Sequence, residues 1–232
     1  DYLKKLNQKM KNQLYNLYKL RKQRILCRLN EFKTFFSNNV CWNFTDNNIV
    51  LVESKKNHNE RLFEELSFCL LTANTSAAMS AKSIDNLRPI LEVGNLEKLQ
   101  RKLNESGYRF PNIRAKYIIE ARDKKLNLKE LVLSNEKFKL REFLALNVKG
   151  LGFKESSHFL RNIGVFGLSI LDKHIIRSMQ EFGVIGQIPK TITQKNYLDL
   201  EKKYFQLSRN LKINSDELDL LLWSMKNGQI LK

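Results

Sequence analysis

The sequence predicts an all-α protein. Only three prolines and nine glycines punctuate its 232 residues, Leu, Lys, Glu, Ile and Asn dominate, and apolar positions recur every three or four residues along most of the chain. That length buries a substantial core without disulfide or metal staples, as one large domain or as two compact lobes.

From Leu3, the positions Leu6, Met10, Leu14 and Leu17 mark one face of an amphipathic helix, and Lys4, Lys5, Lys9, Lys11, Lys19 and Arg21 occupy the other. A charge run of this kind reads first as a solvated helix surface and second as a contact with a DNA backbone. Residues 37–60 are polar around one β-branched run, Ile49–Val52, which indicates a connector holding at most a brief extended segment and sets a first boundary. "RLFEELSFCLLTAN" then places Leu62, Phe63, Leu66, Leu70 and Leu71 in a stripe wide enough for a largely buried helix ending near Asn74. A helix from about Ala77 to Pro89 follows, and a short one at 95–103. "GYRFPNIRAKYIIEARDKK" gives a turn at Gly107, a proline at a helix start, and Arg114, Ile118 and Arg122 at spacing four. "NEKFKLREFLALNV" is one more helix, and beyond Asp172 helices are expected at about 172–183, 194–211 and 215–226.

With 41 Lys+Arg against 24 Asp+Glu, the formal charge is +17. Such a field draws polyanions, and nucleic acid is the leading partner class. An anionic membrane surface is the rival. No stretch of roughly 18 uncharged apolar residues appears, nor an N-terminal secretion signal, so the expectation is a soluble intracellular protein located with the chromosomal DNA. A chain that begins at Asp1 rather than Met suggests a trimmed or processed start. Cys27, Cys41 and Cys69 are odd in number and lack CxxC spacing, which argues against a disulfide framework and against a zinc or iron–sulfur site.

The densest chemistry lies in "LALNVKGLGFKESSHFLRNIG": an apolar-periodic helix, a Gly-x-Gly turn and a second apolar-periodic helix. Gly150 and Gly152 let the backbone turn sharply and approach another group without a β-carbon in the way. This helix–hairpin–helix arrangement aims the free N–H groups of the second helix outward, where with the helix dipole they make a seat for one phosphate. An ordinary turn between two helices is the competing reading. Lys154 falls in the first turn of the second helix, where the dipole disfavours a cation by roughly 0.3–1 kcal/mol. As a nucleophile it must be neutral, which for a free lysine costs on the order of 4–5 kcal/mol at pH 7. A solvent-facing lysine beside Glu155 is the alternative. Asp172, just before "KHIIRSMQEF", is a good helix N-cap worth about 1 kcal/mol. His158 and His174 stand at no metal-ligand spacing and read as packing or hydrogen-bonding residues.

"FCLLTANTSA", "GYRFPNIRAKYIIEAR", "GFKESSHFLRNIG", "ILDKHI" and "LLLWSMKNGQILK" together resemble the compact archaeal-type class of 8-oxoguanine DNA glycosylase/lyases, in the helix–hairpin–helix superfamily of base-excision enzymes. The resemblance runs from about Leu62 to Lys232. It implies two helical lobes, one packing residues 1–60 with 167–232 and the other a helical bundle, 61–166, carrying the hairpin at an interlobe cleft. It also implies that Lys154 is the Schiff-base lysine and Asp172 its acidic partner. Trp223 and Lys232 match the base pocket, Trp223 competing with an ordinary core role. Asn74 and Phe110 match residues near the void or the unpaired base opposite, and Gly150 and Gly152 contact the DNA backbone. Backbone carbonyls of Leu146, Val148 and Leu151 would hold a monovalent cation, with no other cofactor required. The expected partner is double-stranded DNA containing oxidised guanine, met by a monomer.

Two departures stand out: Lys149 replaces a proline frequent in such hairpins, and the cysteine cluster of the iron–sulfur relatives is missing. Residues 1–60 match no motif. A non-catalytic helix–hairpin–helix DNA-binding protein needs the glycines but neither Lys154 nor Asp172, and a glycosylase for another damaged base would share both.

Overall fold

The structure, a computed structural model, describes residues 8–45, 48–230 and 232; the side chains of Gln8, Lys9 and Asn227 are not described. Asp1, Leu3, Lys4, Lys5 and Leu6, read above from sequence, therefore lie outside the described residues, as do Asp46, Asn47 and Leu231. The elements run α1 (Gln8–Phe35), β1 (Val40–Thr45), β2 (Asn48–Glu53), α2 (His58–Thr72), α3 (Ala77–Leu87), α4 (Leu96–Glu105), α5 (Pro111–Asp123), α6 (Leu128–Ser134), α7 (Lys137–Asn147), α8 (Phe153–Asn162), α9 (Lys173–Glu181), α10 (Gln194–Leu211) and α11 (Ser215–Asn227). Every helix expected from periodicity is present. Among the described residues, no helix is long and apolar enough to cross a membrane.

Two elements were not expected. The connector holds a two-stranded antiparallel sheet, pairing Val40 with Glu53 through Thr45 with Asn48, so the Ile49–Val52 run has a partner strand in "VCWNFT". The helix α6 is too short for periodicity to reveal, although Asn127 caps it by accepting from the Glu130 N–H.

The chain clusters into two compact units, and their boundary differs from the one expected at residue 60. One holds the described parts of 1–30 and 166–231, the other residues 31–165 with Lys232. The connector joins the hairpin-bearing unit because its sheet is nailed to the helices there. Arg88, the C-cap of α3, donates to Trp42 O at 2.6 Å and to Asn43 Oδ1 at 3.0 Å in β1, and to Glu64 Oε1 of α2 at 3.0 Å. The Phe44 amide of the same strand donates to Asp85 of α3 at 3.0 Å. Arg61 of α2 donates to the carbonyls of Phe35 and Val40 at 3.0 and 3.1 Å, and Trp42 stacks on Phe35 at 6.0 Å.

In that unit, α2 is the central element: all residues from Arg61 to Thr72 are buried. Asn57 and Glu60 start it with a reciprocal capping box, each satisfying the other's backbone N–H. Helices α3, α5 and α8 pack against it. In the other unit, α11 packs against α9 and α10. The described part of α1 in this unit joins them through Tyr15 to the Leu211 carbonyl, Tyr18 to Glu217, and Arg21 to Ser224 Oγ at 2.7 Å. Burial, with the Glu217 carboxylate beside it, pushes the Tyr18 hydroxyl up to about 12.

Candidate active site

The hairpin is built so that only glycine fits its tip. Helix α7 ends where Val148 donates to the Leu144 carbonyl at 2.9 Å, and the turn closes when Leu151 donates to the Val148 carbonyl at 3.1 Å. Gly150 has φ +93°, and a β-carbon there would lie 2.4 Å from Cδ2 of Tyr117 on α5 and 3.1 Å from Cδ2 of Leu70 on α2. Both the backbone angle and the space exclude a side chain. Lys149, standing where such hairpins frequently carry proline, is braced by Glu120 at 3.7 Å and by the Tyr117 ring at 5.8 Å.

Gly152 is the N-cap of α8, so Phe153, Lys154 and Glu155 form its first turn. Glu155 reaches back to accept from the Gly152 N–H at 3.3 Å, and its other oxygen lies 3.0 Å from Lys154 Nζ. The phosphate seat expected here is thus partly filled by the chain's own carboxylate. Lys154 is not a loose surface cation: its side chain is 23 % exposed and held at a fixed partner. In sequence, Glu155 is only a neighbour of Lys154. The signal that could have found it is a Glu three residues after a helix cap.

Asp172 belongs to the other unit. The segment leading to it is pinned by α10 and α11: Gly167 donates to Asp216 at 3.0 Å, Ser169 Oγ to Glu201 at 2.8 Å, and Tyr197 to the Ser169 carbonyl at 2.6 Å. The expected cap is present. Asp172 Oδ1 accepts from the N–H groups of His174 and Ile175, each at 2.8 Å. Its Oδ2 accepts from the indole N–H of Trp223 at 3.0 Å. Trp223, read from sequence as a stacking face, therefore also grips the carboxylate. The His174 ring meets the Trp223 edge at 5.9 Å, and Lys226 Nζ lies 2.8 Å from His174 Nε2.

Lys232 is the larger surprise. Its ammonium is buried in an ion pair with Glu65 of α2 and faces the rings of Phe68 at 3.9 Å and Trp42 at 4.9 Å. The other Glu65 oxygen accepts from Asn162 Nδ2 of α8 at 2.7 Å. Burial pushes the Glu65 carboxyl up and the Lys232 amine down, while each partner's charge pulls the other back. "FEELSF" carried a clue, since charged residues inside an apolar stripe need buried partners. Among the described residues, no group of three or more His, Cys, Asp or Glu is arranged to hold a metal.

His158 lies on the same buried face of α8, edge-on to Phe68 at 5.8 Å. Burial first, then the charges of Arg161, Lys154 and Lys232, hold its imidazole well below the usual histidine range. His58 and His174 are lowered too, again chiefly by burial. These imidazoles take up protons less readily in the folded state than in the unfolded chain, so the stability they contribute is present above about 6.5 and is lost as pH falls below it. Thermal unfolding is expected at lower temperature at pH 5 than at pH 7, with His158 contributing up to about 1.4 kcal/mol per pH unit. His158→Gln should flatten that slope; an unchanged slope would refute the assignment.

Asn74 and Phe110 are carried on neighbouring turns of one unit. Tyr108 donates to the Leu71 carbonyl at 2.6 Å and Arg114 to the Ala73 carbonyl at 3.2 Å, tying the turn after α2 to the start of α5. Asn74 is exposed with φ 64°. Phe110 is half-buried, with the Arg109 guanidinium 5.0 Å over its ring. Leu146 is 70 % exposed, whereas Val148 and Leu151 are buried.

A glycine hairpin between two helices, followed two residues later by a carboxylate-held lysine, defines a helix–hairpin–helix protein with a candidate nucleophile. A family model described as 8-oxoguanine DNA glycosylase matches residues 46–213. A relative from Korarchaeum cryptofilum, named 8-oxoguanine DNA glycosylase/AP lyase, is 42% identical over 179 residues, covering 77% of this chain and 86% of that protein. The crystal structure of the 8-oxoguanine DNA glycosylase of Thermotoga maritima superposes with a TM-score of 0.82 at 36% identity, covering 97% of this chain and 99% of that one. The Methanocaldococcus jannaschii 8-oxoguanine glycosylase/lyase, solved in complex with a 15mer DNA containing 8-oxoguanine, gives 0.81 at 34% identity, covering 94% and 99%. This chain belongs to the 8-oxoguanine DNA glycosylase family.

Proposed function

We propose that the chain is a bifunctional DNA glycosylase/AP lyase that removes 8-oxoguanine from double-stranded DNA and cuts the strand on the 3′ side. The observation that carries this reading is Lys154 itself, fixed in the first turn of α8 directly after a hairpin that only glycine can form. The family membership and the net charge of +17 support it.

A base inside a duplex is out of reach, so it is extruded at a cost of a few kcal/mol in stacking and pairing, offset by backbone contacts at the hairpin. Lys154, having given up its proton, attacks the sugar C1′ as the bond to the base breaks. The departing base takes the bonding electrons and a proton; the attached amine loses a second proton, and opening of the sugar ring, with the C1′–O4′ electrons going to O4′ and a proton taken up there, leaves a covalent protonated imine. Asp172 stabilises the positive charge developing on the sugar and helps move protons. The imine acidifies the adjacent sugar carbon; removal of a proton there expels the 3′ phosphate by β-elimination, and water then releases the lysine.

Trp223 offers an aromatic face to the extruded purine. Lys232 serves the base pocket as a brace, because its ammonium is committed to Glu65. Asn74 and Phe110 stand beside the vacated stack and the base opposite. The carbonyls of Leu146, Val148 and Leu151 would hold a monovalent cation; in support, that of Leu146 belongs to the last turn of α7, and that of Val148 keeps a lone pair beyond its bond to Leu151. Bound there, the cation would neutralise one backbone phosphate.

Borohydride trapping on an 8-oxoguanine duplex tests the reading. A covalent protein–DNA adduct is expected; its absence with the intact chain would leave a DNA-binding protein without lyase chemistry.

A further inference from the structure

Asp172 is bound more tightly than a helix cap requires. A capping carboxylate needs one oxygen directed at the first free amides of its helix, and Oδ1 already meets two of them at 2.8 Å. That leaves rotation about the Cβ–Cγ bond to be settled by whatever holds Oδ2. Trp223, one turn from the end of α11 and 51 residues away in sequence, supplies a single N–H at 3.0 Å. A carboxylate accepts at about four lone-pair sites. Three of those on Asp172 are filled by these bonds, and the remaining one is on Oδ2. The indole is steadied in turn by the His174 ring, nearly perpendicular to it at 83°.

We infer that Trp223 is a positioning residue, whose indole N–H fixes the plane of the Asp172 carboxylate and reserves its one open lone pair for the reacting sugar. This rests on the proposed catalytic role of Asp172. The bond is surplus to the fold: α9 is capped without it. It also gives tryptophan an advantage over phenylalanine at 223, since phenylalanine stacks a purine but donates nothing. Misplacing a catalytic group by about 1 Å costs on the order of 100-fold in rate, so the loss of an orienting bond is measurable.

The test is a double-substitution cycle on single-turnover base release from an 8-oxoguanine duplex at saturating protein, with active protein counted by borohydride trapping. Trp223→Phe keeps the ring and removes the donor. It is expected to slow release about 10- to 100-fold with duplex affinity unchanged. The double variant, Trp223→Phe with Asp172→Asn, should be no slower than Asp172→Asn alone. Trp223→His, which returns a ring N–H, should fall between wild type and Trp223→Phe. Independent, multiplicative losses in the double variant would overturn the inference and leave Trp223 a stacking face. So would a Trp223→Phe variant that releases base at the wild-type rate. An Asp172→Asn variant as fast as wild type would instead overturn the catalytic role on which the inference stands.

Discussion

Lys154→Gln is expected to abolish the borohydride-trapped adduct and base release while leaving folding and duplex binding in place. Glutamine has no nucleophilic amine, so a covalent intermediate at this position cannot form. The variant is structurally mild because the helix start does not depend on the lysine: Glu155 caps Gly152 through one oxygen and meets Lys154 with the other. Loss of a partly exposed ion pair costs about 0–1 kcal/mol, and removing a cation from a helix N-terminus returns roughly 0.3–1 kcal/mol. The two nearly cancel, so the melting temperature should stay within a few degrees of wild type. A trapped adduct persisting in Lys154→Gln would move the nucleophile elsewhere. Loss of duplex binding in step with loss of adduct would mean that the lysine serves mainly as a phosphate contact.

The second large effect is on stability. Glu65→Ala leaves the Lys232 ammonium buried without its ion-pair partner and removes the carboxylate that accepts from Asn162, in a pair at 2 % and 3 % side-chain exposure. Breaking a buried pair from one side costs about 3–5 kcal/mol, which for a chain of this size lowers the melting temperature by roughly 10 °C. Replacing both partners, as Glu65→Gln with Lys232→Met, should recover much of the loss, since well-packed neutral groups often match a buried ion pair. Thermal unfolding of the three proteins decides it: a Glu65→Ala variant within 1 kcal/mol of wild type would show that the pair contributes little to holding the fold.

These two expectations differ in how much of them could be read from sequence. Lys154 was legible because its chemistry is local: the glycines, the helix start and the lysine lie within five residues, and spacing alone raises the question. Asp172 was legible as a cap for the same reason. The Glu65–Lys232 pair was not, since its members stand 167 residues apart and no spacing rule connects them. Nor was the grip of Trp223 on Asp172, which depends on how α11 lies against α9. The helices were visible because a 3.6-residue repeat needs only a dozen positions to declare itself. The sheet was half-visible: the β-branched second strand stood out, while the first, "VCWNFT", hides its alternation of Trp42 and Phe44 among small and polar residues. Its boundary consequence, the transfer of residues 31–60 to the hairpin-bearing unit, rests on Arg88 and Arg61, which reach the backbone carbonyls of Trp42, Phe35 and Val40, partners that no sequence names.

The left-handed backbone at Asn74 has a practical consequence. Asparagine tolerates φ 64°, but glycine adopts it without steric cost. A laboratory search for heat-resistant versions of this chain would therefore be drawn to position 74, where glycine relieves the backbone and removes one of the two side chains proposed to stand beside the vacated stack and the base opposite. Thermostability and repair competence pull against each other at that single residue, so selection for one without an assay for the other would degrade the enzyme while seeming to improve it.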